Sequence, residues 1–93
     1  MRLFYLMKAR DKKSPQFEHL DKDIVLKKMG ARIKALRIKH GYTSYEYFAY
    51  DHNISCAQFG RYEKGQDLRV SSLIKIVNAF NISLQEFFEQ GFD

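Results

Sequence analysis

From Ile24 to His40 the chain sets Ile24, Leu26, Met29, Ile33 and Leu36, with Val25 beside them, near an i, i+3, i+4, i+7 stripe. Lys27, Lys28, Arg32, Lys34 and Lys39 take the other faces, which predicts a long amphipathic helix ended by Gly41, a residue suited to a left-handed cap. "TSYEYFAYDHN" follows, and Thr43 with Glu46 has the spacing of a capping box, hydroxyl and carboxylate each satisfying a free amide of the first turn. A second helix is therefore expected over about Ser44 to Asp51, with Phe48 and Ala49 inward. In "HNIS", Asn53 tolerates positive φ, Ile54 supplies an apolar plug, and Ser55 caps a third helix with Gln58 at the box position. That helix runs from about Cys56 to Lys64 and stops at Gly65. Phe59 and Tyr62, three apart, form its inward side, and Cys56, Ala57, Gly60, Arg61 and Lys64 form its outward side.

"QDLRV" reads as a loop, and Ser71 is placed to cap a fourth helix whose apolar face is Leu73, Ile74, Val77 and Phe80. "NIS" then recurs: Asn81 turns, Ile82 packs, and Ser83 with Glu86 forms a capping box for a fifth helix, "LQEFFEQ", ended by Gly91. No segment alternates like a strand, so the expected class is all-α. Upstream, "KARDKKSPQFEHLDKD" holds the only proline, mixes both charges and sustains no apolar period. The organisation expected is a weakly ordered arm over residues 1–23 and one helical domain over 24–93.

Composition sharpens this outline. With 93 residues and 45% hydrophobic content, the chain can build one modest core. Its net charge of +5 is uneven: Met1 to Tyr45 carries 12 Lys plus Arg against 4 acids, and Glu46 to Asp93 carries 4 against 7. A basic first half favours an acidic partner, nucleic acid or an anionic surface. The lone cysteine, Cys56, has no internal disulfide partner and fits a reducing compartment. "MRLFYLM" is shorter than a signal-peptide core, and charges interrupt every later apolar run, so no membrane segment is expected and the location expected is cytoplasmic. His19, His40 and His52 are scattered without metal spacing, and no nucleophile–base grouping or phosphate loop stands out. Neither metal, cofactor nor catalysis is expected.

Three stretches in order, "GARIKALRIKHGYTSYEYFA", "NIS…RYEKG" and "SSLIKIVNAFNISLQEFF", resemble the Cro/C1-type repressors, the XRE-like helix-turn-helix family, from about Met29 to Phe88. Tyr45 and Asn53 stand where that family usually has a glutamine and a glycine, and the segment from Gly41 to Phe48 is one residue longer. The resemblance implies a five-helix, lambda-repressor-like domain whose third helix enters the major groove of double-stranded DNA, and hence a transcriptional regulator, in the first instance a repressor. It aligns Cys56, Ala57 and Arg61 with the base-reading positions, and Gln58 joins them if it leans outward. Arg61 is the strongest of these, because its planar fork matches guanine O6 and N7. Phosphate contacts fall to Ser44, Tyr45, Ser55, Lys64 and Arg69. The resemblance also pairs Arg37 with Glu63 as a structural ion pair, which explains an acid beside a DNA-reading surface.

A module this small reads few base pairs, so a homodimer on a two-fold site is expected, with Leu84, Phe87, Phe88 and Phe92 as its interface. Two other readings stay open. One is a protein-interaction module such as an antitoxin, with "MRLFYLM" and the basic arm folding onto a protein partner. The other is a phage-type structural or assembly protein that kept the fold without DNA binding, which the poor hydrogen-bonding capacity of Cys56 and Ala57 permits.

Overall fold

A computed structural model describes residues 19–92. Among them are five helices and no strand: α1 (Lys22–Lys39), α2 (Tyr45–Asp51), α3 (Cys56–Glu63), α4 (Val70–Ala79) and α5 (Leu84–Phe88). The expectation of a weakly ordered arm over 1–23 falls mostly outside the described residues. Its last residues belong to the helical part, since the Asp21 carboxylate accepts the Ile24 N–H at 3.1 Å and α1 starts at Lys22. Asp23 near the start of α1 and Arg37 and Lys39 near its end complement the helix dipole.

Only α1 is long enough to approach independent stability, so burial holds the other helices in place. Their common core is aromatic. Phe48, Phe59, Phe80 and Phe87 are fully buried together with Ile33 and Ile76, and Leu36, Ala49 and Val77 fill the gaps. The Phe48 ring lies 5.0 Å from Phe59 and 4.7 Å from Phe80, so one side chain of α2 ties α3 to the end of α4. Two apolar residues expected inside lie outside. Ile24 is 55% exposed, on the side of α1 away from Ile33, and Ile74 is 43% exposed. In α4 the inward set is Leu73, Ile76, Val77 and Phe80, which keeps the i, i+3, i+4, i+7 spacing and leaves Ile74 one step out of phase.

The caps follow the same logic with two corrections. Ser44, not Thr43, caps α2: its Oγ accepts the Glu46 N–H at 3.2 Å. The N-cap of α4 is Arg69, two residues before the expected Ser71, and it makes no side-chain cap bond. Ser55 and Ser83 cap α3 and α5 as their spacing predicts, Ser83 and Glu86 completing a reciprocal box. Asn53 and Asn81 take φ of 56° and 58°, the left-handed turns expected of them.

Long-range polar contacts fasten the helices to one another. Arg32 of α1 donates to the Phe87 and Glu86 carbonyls, both at 2.8 Å, supplying partners that the end of α5 lacks. Lys75 of α4 donates to the Asn53 carbonyl at 2.7 Å and braces the α2–α3 turn. The two His40 ring nitrogens lie 2.9 Å from the Leu36 carbonyl and 3.2 Å from the Phe80 carbonyl, and the imidazole N–H donates to one of them. The Tyr42 phenol donates to Asp51 at 2.9 Å; that bond first, then lost hydration and the carboxylate's charge, raises its pKa above 10.0. No helix among the described residues is long and apolar enough to cross a membrane.

Candidate nucleic-acid interface

α3 has eight residues and cannot define its own position, so its placement rests on what its buried side touches. Phe59 is wholly buried. Gly60, expected on the outward side, is buried as well: a Cβ there would lie 2.8 Å from the Tyr45 ring of α2. At the C-terminal end of α3, a Cβ on Gly30 of α1 would lie 2.6 Å from the Tyr62 and Glu63 carbonyl oxygens. Glycine at 30 and 60 therefore lets α1 and α2 approach α3 more closely than any other residue would.

The ion pair expected from the resemblance is present. Arg37 Nε meets Glu63 Oε2 at 2.7 Å and its Nη2 meets Oε1 at 3.1 Å, with the two side chains 5% and 7% exposed. Arg37 Nη1 also donates to the Tyr42 carbonyl at 2.8 Å. This bidentate, dry geometry fixes the C-terminal end of α3 against α1 and cancels the one negative charge on α3.

What remains outward is Ala57, Arg61 and Lys64, an i, i+4, i+7 stripe that is exposed throughout. The Arg61 guanidinium has no partner among the described residues, so its five donors are available to a ligand. The other expected readers diverge from this stripe. Cys56 is exposed but turned toward α2, where its Sγ lies 3.7 Å from the Glu46 carbonyl and borders a shallow apolar depression with Ser44, Tyr47 and Tyr50. Gln58 is exposed on the opposite flank and lines an open cleft with Tyr62, Asp67, Leu68 and Arg69. Ala57 and Arg61 hold the centre.

The expected phosphate contacts ring that stripe unevenly. Lys64 and Arg69 are exposed with free ammonium and guanidinium groups. Ser55 is exposed while its Oγ accepts the Gln58 N–H at 3.3 Å, which leaves its proton to donate. The Ser44 proton is committed to the Glu46 carboxylate at 3.2 Å, and Tyr45 is half-buried with its ring across Gly60. Among the described residues no group of three or more His, Cys, Asp or Glu is placed to hold a metal ion.

No protein-family model and no curated protein matches the chain.

The expected dimer patch needs one correction. Phe87 is fully buried, its ring 5.0 Å from Phe88 and covered by the Arg32 guanidinium at 6.0 Å, so it belongs to the core. Leu84 and Phe88 are 43% and 44% exposed and Phe92 is half-buried, which leaves a smaller apolar surface on α5. Nothing in the sequence marks Arg32, Lys75 and His40 as positioning residues. A basic side chain on a helix carries no sign of whether it will find solvent or a carbonyl tens of residues away.

Proposed function

We propose that this chain is a lambda-repressor-like helix-turn-helix protein that binds double-stranded DNA sequence-specifically and regulates transcription, in the first instance as a repressor. α2, the Asn53 turn and α3 form the motif. α3 enters the major groove with Arg61 on a guanine edge, Ala57 allowing close approach, and Lys64, Arg69 and Ser55 on phosphates.

The observation that carries the reading is the division of α3 into two sides. One is locked by Phe59, Gly60 and the buried Arg37–Glu63 pair, and the other presents an unpartnered arginine and lysine around a small residue. A helix held this firmly offers Arg61 from a defined position, as bidentate base readout requires. Neutralising Glu63 inside the protein keeps a carboxylate from facing phosphate. A short reader gains specificity by acting in pairs, and Leu84, Phe88 and Phe92 are the surface proposed for a homodimer.

The test is selection from a randomised duplex pool with the full chain, followed by anisotropy titrations of the enriched duplex and a shuffled control at two salt concentrations, with Arg61→Ala in parallel. The expected result is a preference for the enriched duplex that Arg61→Ala lowers by roughly 5- to 150-fold, the equivalent of 1–3 kcal/mol for one bidentate contact, while salt-sensitive background binding persists. No enriched sequence, or an enriched sequence indifferent to Arg61, overturns the assignment of α3 as the reader.

A further inference from the structure

α1 carries two apolar stripes on opposite sides. The inner one, Met29, Ile33 and Leu36, is buried in the core. At 3.6 residues per turn, Ile24, Ala31, Ala35 and Ile38 align on the far side. All four are exposed, Ile24 at 55% and Ile38 at 54%. By the same geometry Lys27 and Lys34 run along one edge of this outer stripe, and Lys28 and Lys39 along the other. From Ile24 to Lys39 there is no acidic residue. The stripe is about 21 Å long at 1.5 Å per residue.

We infer that the outer face of α1 is a docking surface for an acidic amphipathic helix of another protein. Ala31 and Ala35 sit between the two isoleucines and let a second helix come close, and the isoleucines then enter the grooves of that helix at either end. Lys27 and Lys34 on one edge and Lys39 on the other call for carboxylates flanking the partner's apolar stripe. A second copy of this chain is excluded as the occupant, because parallel and antiparallel pairing both set lysine rows against lysine rows. The chain's own first 18 residues are a poor match too, with five Lys or Arg against two acids. Two isoleucines and two alanines offer too little apolar area to seat the helix in a lipid surface. A DNA strand would have to bury the isoleucine ridge against phosphate. α1 meets α3 at Gly30 and Arg37, outside this stripe, and the turn after α3 touches the stripe's edge where Gly65 packs on Lys27, so the isoleucine–alanine ridge itself stays open while α3 is engaged.

The experiment uses the full chain and a fluorescein-labelled synthetic peptide of about three heptads, with leucine and alanine on one face and glutamate along both edges. Comparison ligands are polyglutamate of equal charge, the same peptide with lysine for glutamate, and phosphatidylglycerol–phosphatidylcholine vesicles. Saturable binding of the acidic amphipathic peptide is expected, weakened about tenfold or more by Lys27→Glu/Lys34→Glu and separately by Ile24→Ser/Ile38→Ser, and unchanged by Arg61→Ala. Circular dichroism melts confirm that each variant is folded; every substituted side chain is exposed. Absence of peptide binding overturns the proposal. So does equal binding of polyglutamate, indifference to both double variants, or vesicle binding that displaces the peptide.

Discussion

Replacing Glu63 by alanine strands the Arg37 guanidinium in a dry site, with the Tyr42 carbonyl the one left of its three polar contacts. Both side chains are at most 7% exposed, so solvent screening offers little relief, and removing one partner of such a pair costs about 3–5 kcal/mol. A domain this small holds a total near the lower end of roughly 5–15 kcal/mol, so the variant loses most of its stability. The smallest expected effect, about 3 kcal/mol at about 4 °C per kcal/mol, is a fall of roughly 12 °C in Tm. Calorimetry and urea titration measure it. Glu63→Gln, which keeps the shape and one acceptor, falls between parent and alanine variant. Arg37→Met/Glu63→Leu recovers at least half the loss, because removing both charges together ends the desolvation penalty. A Tm for Glu63→Ala within about 4 °C of the parent refutes the claim that this pair fixes α3.

Two further substitutions separate frame from surface. Gly30→Ala gains about 1 kcal/mol of helix propensity but forces a methyl group against two backbone carbonyls of α3, where overpacking costs about 1–3 kcal/mol, so a net loss with displaced α3 is expected. A raised Tm contradicts the close approach. Phe87→Ala should cost about 3–5 kcal/mol as a core truncation, whereas Phe88→Ser should cost about 1 kcal/mol from lost ring contacts. Urea titration orders the two, and the reverse order would return Phe87 to the surface.

Local rules reached the helices well and the tertiary contacts poorly. Asn53, Asn81, Ser55 and the Ser83–Glu86 box act within one turn of chain, so their roles were legible in the sequence. Thr43 and Ser44 are adjacent hydroxyls at one helix start, and the choice between them depends on where the backbone turns. Ile74 and Ile76 differ only in phase, which α4 settles by packing. Among Leu84, Phe87, Phe88 and Phe92, a linear pattern does not say which side chain faces inward; Phe87 does, wholly buried with the Arg32 guanidinium over its ring. On α3, Gly60 falls on the outward side in the linear pattern yet serves as the seat for Tyr45, a close approach visible only in three dimensions.

The Arg37–Glu63 pair has a consequence for how such a protein changes over generations. Either residue replaced alone passes through a form with an unmatched buried charge, so the two positions are held together unless both change in quick succession. Ala57, Arg61 and Lys64 bear none of this weight, and substitution at exposed positions of that kind shifts stability by about 0.5 kcal/mol or less. The scaffold is frozen where α1 grips α3 and free to drift on the exposed side of the same helix, so that side can change without endangering the fold that presents it.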